Sequence, residues 1–399
     1  MISRISIPLL LVIVLSDIYI YKMYVRERAG AALRALWWLP GAVMVVYTVA
    51  LAVQRDFAPG DNAVLNVYLF LMGLTVVPKM LFTLFDLAGR WLRRIVHGRR
   101  NYGAYVGAAA ALVTVYILVY GSTAGFRGLD IRYEDYYSAA LPEAFDGFRI
   151  VHFSDAHVGT YGKSGACLLE RAVDSINALK GDIIVFAGDL QNMRAEEIAP
   201  YTETLASLHA DGGVYSVLGN HDYAYYVDAS AEEKAAMARA TADTERSMGW
   251  TLLNNSHVTL RRGADSIVIA GMENDGEATY YTRKGDIRKA LDGVTDSAFT
   301  VMIEHDPRSW RTNILPHSAA ALTLSGHTHA MQFVVFGWSP VALMYREWGG
   351  MYYEGSRAIN VSTGLGGFIP FRFGVPGEIV VITLRRGEGV TGGRHTRKQ

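Results

Sequence analysis

The fold of this chain is indicated first by residues 148–157, which read FRIVHFSDAH: a short apolar run that ends in polar side chains. Such a run is typical of a buried strand. Apolar residues at helical spacing follow from Leu168 to Leu179. Five more apolar runs come later, at 183–186, 214–218, 267–270, 299–303 and 321–324. Short apolar strands that alternate with helices predict an α/β domain whose sheet is covered by helices.

Polar clusters directly follow five of these apolar runs. In open α/β sheets, ligands bind beyond the carboxyl ends of the strands, so we expect the five clusters to meet at one edge. Their glycines allow the backbone to turn sharply there. The clusters are Ser154-Asp155-Ala156-His157, Gly188-Asp189-Leu190-Gln191-Asn192, Gly219-Asn220-His221-Asp222, Glu304-His305-Asp306 and Ser325-Gly326-His327-Thr328-His329.

The residue types in these clusters predict a metal site. Imidazole, carboxylate and amide oxygen suit Zn, Mn or Fe, and a single cysteine, Cys167, excludes a cysteine cluster. Asp155 and His157 lie two residues apart, as do His327 and His329, so each pair can point the same way from an extended strand end. There are more ligands than one tetrahedral ion needs. They favour two ions about 3.5–4 Å apart with one bridging carboxylate.

The series of motifs resembles the signature of the calcineurin-like metallophosphoesterases. All five blocks are present in order, and the resemblance covers about residues 145–385. It implies a two-sheet αββα sandwich and two divalent metal ions, with Asp189 as the bridge between them. The implied ligands of one ion are Asp155, His157, Asp189 and His329. Those of the other ion are Asp189, Asn220, His305 and His327.

The resemblance also implies catalytic roles beside the metals. His221 would contact the substrate phosphate or protonate the leaving group, and Asp222 would orient His221. No nucleophilic side chain is needed, because two cations make hydroxide available from water near pH 7. The implied reaction is hydrolysis of a phosphomonoester, phosphodiester or pyrophosphate bond by a metal-activated water.

A C-terminal stretch, residues 360–379, resembles the membrane-anchored branch of this superfamily. That branch includes an enzyme similar to UDP-2,3-diacylglucosamine pyrophosphatase, so a pyrophosphatase of a nucleotide-linked lipid precursor is a second interpretation. Many members of the branch have glycine where this chain has Ala330, a departure that bears on substrate preference. A third interpretation is a catalytically silent membrane sensor or scaffold, which the intact ligand set disfavours.

Residues 1–125 predict a membrane region, because four apolar stretches each approach the roughly 20 residues that a spanning helix needs. A cleaved signal peptide is the alternative for the first stretch, but no small-residue cleavage site follows it. Residues 126–144 read as a polar linker, and the basic tail 386–399 reads as disordered. The predicted spans lie at about 5–21, 35–53, 64–85 and 102–120.

The loop charges predict how these spans are oriented. Nine Lys and Arg residues lie in the first and third loops, so both loops should be cytoplasmic. The catalytic domain after the fourth span is then extracytoplasmic, in a multi-pass cell-membrane protein. The nine are Lys22, Arg26, Arg28, Arg34, Arg90, Arg93, Arg94, Arg99 and Arg100.

Two charged residues, Asp17 and Lys79, lie inside apolar spans. A lone charge at membrane depth costs several kcal/mol, so such residues usually pair or face a cavity. We expect the first and third helices to pack together with these residues as an ion pair; the alternative is that each snorkels separately to an interface. In the fourth span, Gly103, Gly107 and Ala111 form a small-residue stripe that suits close helix packing.

The partners that the sequence predicts are the lipid bilayer and a phosphate-ester substrate, and the membrane region makes a lipid-linked substrate one alternative. The formal net charge is zero, so no nucleic acid binding is expected. The aromatic segment 338–353 has two interpretations: a lid that meets lipid or an acyl chain, or a loop buried over the core. The substrate, the native metals and the oligomeric state stay open at this point.

Overall fold

The computed structural model describes residues 2–54, 62–276 and 283–388. The chain divides into two units, Met1–Thr123 and Ala124–Gln399. Most of the tail that was predicted to be disordered, residues 389–399, lies outside the described residues.

Four helical stretches of the first unit are long and apolar enough to cross a membrane, as predicted. Helices suit this environment because they satisfy their own backbone hydrogen bonds where water is absent. The stretches are Ile5–Val25, Ala31–Val53, Ala63–Ile95 and Tyr102–Gly125. They are built from α1 (Ile2–Ile20), α2 (Ala31–Leu36), α3 (Trp38–Val53), α4 (Asn62–Leu71), α5 (Val77–Ile95) and α6 (Tyr102–Tyr120). Short π-helical turns occur at Tyr21–Val25, Met72–Val76 and Gly121–Gly125.

An ion pair joins the first and third spans, which confirms the predicted pairing. Lys79 Nζ lies 2.6 Å from Asp17 Oδ1, and the two side chains are only 18% and 4% exposed. The Trp37 indole N–H donates to the backbone carbonyl of Asp17 at 3.2 Å. Removing one member of a buried pair typically costs about 3–5 kcal/mol, because the other charge is left uncompensated.

A second buried carboxylate, Asp86 of α5, was not predicted. The hydroxyl groups of Tyr19 and Tyr24 donate to it at 2.5 and 2.7 Å, and Arg90 Nε donates at 2.9 Å. The side-chain amide of Asn101 donates to it as well. Arg90, Arg93 and Arg94 were assigned to the third loop from sequence, but all three belong to α5, where Arg90 pairs with the buried Asp86.

Small residues allow α5 and α6 to pack closely, as the glycine stripe predicted. A Cβ added to Gly103 would lie 2.7 Å from the Cα of Gly89. One added to Gly107 would lie 2.9 Å from the carbonyl oxygen of Phe82. Larger side chains at these positions would therefore push the two helices apart.

Twelve strands form two sheets among the described residues of the second unit. The strands are β1 (Leu129–Ser138), β2 (Arg149–Phe153), β3 (Ile183–Phe186), β4 (Val214–Ser216), β5 (Thr251–Leu252), β6 (Ser256–Arg262), β7 (Asp265–Gly271), β8 (Thr300–Ile303), β9 (Leu322–Ser325), β10 (Gly350–Glu354), β11 (Arg357–Val361) and β12 (Gly377–Arg386). The first sheet has the order β1-β12-β2-β3-β4-β5, and the second has the order β10-β11-β9-β8-β7-β6. Strands β2 to β5 run parallel, as do β7, β8, β9 and β11.

The inner faces of the two sheets share one apolar core, and helices cover their outer faces. Ile150, Val301 and Leu322 are fully buried in the shared core. Leu169 and Ile176 of α7 pack with the outer face of the first sheet. This is the αββα sandwich that the resemblance implied. Its helices are α7 (Gly162–Ala178), α8 (Thr202–Ala206), α9 (Ala231–Ser247), α10 (Ile287–Ala290) and α11 (Leu315–His317).

Residues 126–144, which read as a linker, include β1 and so belong to the first sheet. β1 pairs in parallel with β12, with Leu129 opposite Gly377. β12 in turn runs antiparallel to β2, with Val380 opposite His152. The start of β1 therefore lies at the same edge of the sheet as the end of β2.

Candidate metal centre

The polar ends of five strands meet at one edge of the sandwich. The seven predicted ligands all lie there, and their carboxylate oxygens and imidazole nitrogens form two groups whose atoms lie within 4.8 Å of one another. The ligands come after β2 (Asp155, His157), β3 (Asp189), β4 (Asn220), β8 (His305) and β9 (His327, His329).

The first group consists of Asp155, His157, Asp189 and His329. His157 Nε2 lies 3.1 Å from His329 Nε2 and 3.7 Å from Asp189 Oδ2. His329 Nε2 lies 3.4 Å from Asp155 Oδ1. Two imidazoles and two carboxylates therefore direct ligand atoms into one small volume.

The second group consists of Asp189, His305 and His327, and the Asn220 side chain joins it. His305 Nε2 lies 3.1 Å from Asp189 Oδ2 and 3.3 Å from His327 Nδ1. Asn220 Oδ1 lies 3.1 Å from His305 Nε2 and 2.7 Å from His327 Nδ1. Asp189 thus belongs to both groups.

These two groups fit divalent metal ions. His157 Nε2 and His329 Nε2 lie 3.1 Å apart, and since a neutral ring carries a lone pair at one of its two nitrogens, both Nε2 atoms can bind a cation that lies between them. The surrounding carboxylates are buried, where an uncompensated charge is costly. Imidazole and carboxylate together suit Zn, Mn or Fe.

The backbone beneath these ligands adopts conformations that residues other than glycine rarely occupy. φ is positive at Asp155 (51°), His157 (42°), Asp189 (63°), His327 (73°) and His329 (49°). Each such residue costs on the order of 1–3 kcal/mol and persists only when the surrounding structure holds it. Five of the seven predicted ligands therefore lie on strained backbone.

Burial and charge set the protonation of these side chains. Burial raises the pKa of Asp155 to about 7, and the Asp189 carboxylate adds to the shift. Burial lowers the pKa of His157 to about 3. Burial also opposes a charge on His305, but the adjacent Asp189 carboxylate raises the pKa of His305 well above its usual value. The carboxylates therefore favour positive charge between them, which metal cations supply in place of protons.

His221 lies beside the first group, where its ring centre is 4.8 Å from that of His157. Its Nδ1 lies 2.5 Å from the carbonyl oxygen of Asn192. Its backbone N–H donates to Asp189 Oδ1 at 2.8 Å. Burial lowers the pKa of the His221 imidazole. The loop that follows β3 thus fixes the orientation of this ring.

Asp222 does not orient His221, contrary to the expectation from sequence. Its carboxylate instead accepts four backbone N–H groups at 2.8 to 3.2 Å. The donors are Asp189, Leu190, Gln191 and Gly219. A buried carboxylate needs several donors, and those nearest belong to the loop that carries Asp189. Asp222 therefore holds the loop that carries Asp189.

Comparison with known proteins finds the same two regions. A family model described as "Calcineurin-like phosphoesterase" matches residues 148–331. One described as "Probable Calcineurin-like phosphoesterase, transmembrane domain" matches residues 3–126. The metallophosphoesterase YkuE of Bacillus subtilis is 32% identical over 261 residues, which are 62% of this chain and 82% of that protein. This chain belongs to the calcineurin-like metallophosphoesterases.

Two further relatives show how far the likeness extends. A transmembrane protein with metallophosphoesterase domain from Danio rerio is 30% identical over 292 residues, which are 69% of this chain and 62% of that protein. This metallophosphoesterase thus spans less than two thirds of the fish protein. The UDP-2,3-diacylglucosamine pyrophosphatase of Chlamydia trachomatis is 26% identical over 295 residues, which are 61% of this chain and 86% of that enzyme.

Two tyrosines that sequence reasoning missed contact candidate ligands of the metallophosphoesterase. Tyr345 Oη lies 2.8 Å from His327 Nε2, and the Asn220 side-chain amide donates to Tyr226 Oη at 2.9 Å. Such outer partners fix the orientation of ligands. Tyr226 follows the cluster Gly219-Asn220-His221-Asp222 closely. This proximity was a signal in the sequence that Tyr226 could contact the site. Tyr345 lies in the aromatic segment 338–353, where nothing in the sequence distinguishes it.

A buried arginine, Arg372, supports the loop that packs against the metallophosphoesterase centre. A Cβ added to Gly364 of this loop would lie 2.8 Å from the Cβ of Asp155 and 3.0 Å from His329 Nδ1. The guanidinium holds the loop through five carbonyl acceptors, at Thr363, Gly364, Gly366, Val375 and Pro376. The C-terminal stretch thereby contributes to the site without supplying a ligand.

Proposed function

We propose that this metallophosphoesterase hydrolyses a phosphate ester of a membrane-associated compound, using two divalent ions of Mn, Fe or Zn. The observation that supports two ions is the membership of Asp189 in both groups of ligand atoms. One ion would be held by Asp155, His157, Asp189 and His329. The other would be held by Asp189, Asn220, His305 and His327.

The side chains around the ions have separable tasks in this proposal. When bound, divalent cations activate a water molecule and neutralise charge on phosphoryl oxygens. Asp222 holds the loop that positions Asp189. The His221 Nδ1–H donates to the Asn192 carbonyl, which leaves Nε2 as the nitrogen that exchanges a proton. We assign to this nitrogen the protonation of the leaving-group oxygen: the doubly protonated ring gives up its Nε2 proton and is left neutral, with the Nδ1–H still donated to the Asn192 carbonyl.

Metal-dependent turnover tests the proposal. The full chain in detergent should hydrolyse bis(4-nitrophenyl) phosphate when Mn²⁺ is added, because a generic diester needs only the metal centre and a good leaving group. A chelator should abolish the rate, and fresh Mn²⁺ should restore it. If the chain stays inactive with Mn, Fe and Zn on monoester, diester and pyrophosphate substrates, a scaffold role is favoured instead.

A second candidate is a pyrophosphatase of a nucleotide-linked lipid precursor. It is favoured by the 26% identity to the UDP-2,3-diacylglucosamine pyrophosphatase of Chlamydia trachomatis. Such a substrate requires a catalytic domain with access to the cytoplasmic face. The positive charges of the first and third loops predict the opposite face, so topology distinguishes the two candidates.

We therefore predict an extracytoplasmic catalytic domain, because positively charged loops are retained in the cytoplasm. In a bacterial host, alkaline phosphatase fused to the C-terminus should be active, since it matures only outside the cytoplasm. A fluorescent protein that matures only in the cytoplasm should stay dark at the same position. The reverse pattern would contradict the topology and favour the nucleotide-linked substrate.

A further inference from the structure

Five apolar side chains project into solvent between the candidate ligand His329 and Tyr345. Clustered exposed apolar residues mark interaction sites, whereas scattered ones do not. We call the five the apolar lip: Met331 (48% exposed), Phe336 (105%), Trp338 (50%), Leu343 (81%) and Met344 (59%). Within the segment 338–353, Leu343 is exposed whereas Tyr345 is buried.

Phe336 occupies the tip of a tight hairpin, where an aromatic residue is unfavourable. Val335 and Trp338 exchange backbone hydrogen bonds at 2.9 and 3.0 Å. The two residues between them, Phe336 and Gly337, have φ values of 52° and 75°. Turns of this kind prefer asparagine and glycine, and a bulky residue with positive φ is a genuine outlier. The fold therefore holds a large ring in a strained and fully exposed position.

Both ends of the apolar lip are fastened to the metal centre. Before the lip, His329 is a candidate ligand, and the Ser339 hydroxyl donates to the carbonyl of the adjoining Ala330 at 2.7 Å. After the lip, Tyr345 contacts the ligand His327 at 2.8 Å. Whatever the lip binds is thereby brought next to the reacting phosphate.

The same edge of the sandwich receives the chain from the membrane region. The fourth span ends at Gly125, and β1 begins at Leu129, beside Gly377 and at the edge where β2 ends. Three residues lie between the end of the span and β1 in the sequence. The lip is joined to this entry point, because Val334 donates to the carbonyl of Phe373 at 2.8 Å, just before the start of β12.

Cationic side chains lie beside the lip. The Arg308 guanidinium lies 3.9 Å from the centre of the Tyr345 ring. The Arg346 side chain is 73% exposed and lies 3.6 Å from the buried carboxylate of Glu347. Apolar residues flanked by cations are typical of surfaces that bind anionic bilayers.

From these observations we propose that the apolar lip inserts into the interface of the bilayer that the chain itself spans. The metal centre then faces phosphate groups at the level of the lipid headgroups. This lipid contact goes beyond the proposed hydrolysis. It rests on that proposed function only where it takes a phosphate group to be the reacting group.

Spin labels on the full chain in nanodiscs test the contact without any turnover, so it can fail independently of the proposed hydrolysis. The nanodiscs contain phosphatidylethanolamine and phosphatidylglycerol in equal amounts. Cys167, the only cysteine, is first replaced by serine so that labelling is specific. One label is placed at Phe336→Cys. The control is Asp211→Cys, whose side chain is fully exposed and precedes β4 at the opposite edge of the sheet.

The Phe336→Cys label should be accessible to oxygen, which partitions into lipid, and protected from a water-soluble nickel complex. The Asp211→Cys label should show the opposite preference. Adding Leu343→Ser should raise the nickel accessibility at position 336, because one lipid contact is lost. Nickel accessibility at position 336 equal to that at position 211 would overturn the proposal. So would protection from both reagents, which would indicate a second copy of the chain on the lip.

Discussion

Replacing Asp189 with asparagine should lower turnover of an aryl phosphodiester by more than about 100-fold, since losing even an outer partner of a ligand costs roughly 10–100-fold. The carboxylate of Asp189 belongs to both groups of ligand atoms. A neutral amide of the same shape does not offset the charge of two cations, so bound metal per chain should also fall. Turnover and metal content, measured on the same preparation, check this result.

The matched control is Asp275→Asn, which changes another buried carboxylate that lies in neither group of ligand atoms. It should keep its metal and most of its turnover. Near-native turnover together with full metal content in Asp189→Asn would refute the shared-ligand assignment. A loss of metal in both variants would point to a general effect of removing buried charge.

Replacing His221 with alanine should leave bound metal unchanged and lower the rate by about 10²–10⁴-fold, the usual range for a general acid. The loss should be smaller for a 4-nitrophenyl ester than for an alkyl ester, because a good leaving group needs little protonation. Rates on the two esters, measured at several pH values, check the assignment.

His209→Ala serves as the control, because that side chain is 81% exposed and lies outside the candidate centre. Its rates on both esters should match those of the unaltered chain. An equal loss for both esters in His221→Ala would instead indicate that His221 binds the phosphate.

The candidate ligands were predictable because each one follows an apolar strand run, and strand ends of one sheet meet in space. Asp155 and Asp189 follow neighbouring strands of the first sheet, and His305 and His327 follow neighbouring strands of the second. The rule accounts for each pair, whereas the meeting of the two edges follows from the face-to-face packing of the sheets. The role of Asp222 was not predictable in this way. Its four backbone donors come from the turns after β3 and β4, and a sequence pattern of side chains does not reveal which backbone N–H groups a carboxylate will accept from.

Two other features, the strand β1 and the buried Asp86, were not predicted from the sequence for a similar physical reason. β1 read as a linker because its charged residues Asp130, Arg132 and Glu134 give the segment a polar composition. It is nevertheless an edge strand, in which Arg132 donates to Glu378 at 2.9 Å. Asp86 was missed because hydropathy ends the third span before it, whereas α5 continues to Ile95. The polarity of a segment does not show whether its side chains have a partner on another helix or strand.

β12 is an interior strand of the first sheet, and this position affects how the sheet can form during translation. β12 lies between β1 and β2, and its Glu378 is 246 residues from Arg132 of β1. At roughly 5–20 residues per second, the ribosome needs about 10–50 s to make the intervening chain. During that time β1 has been made but its neighbour β12 has not. The first sheet therefore cannot be completed in the order of synthesis, and β1 is open to mispairing until β12 has been made.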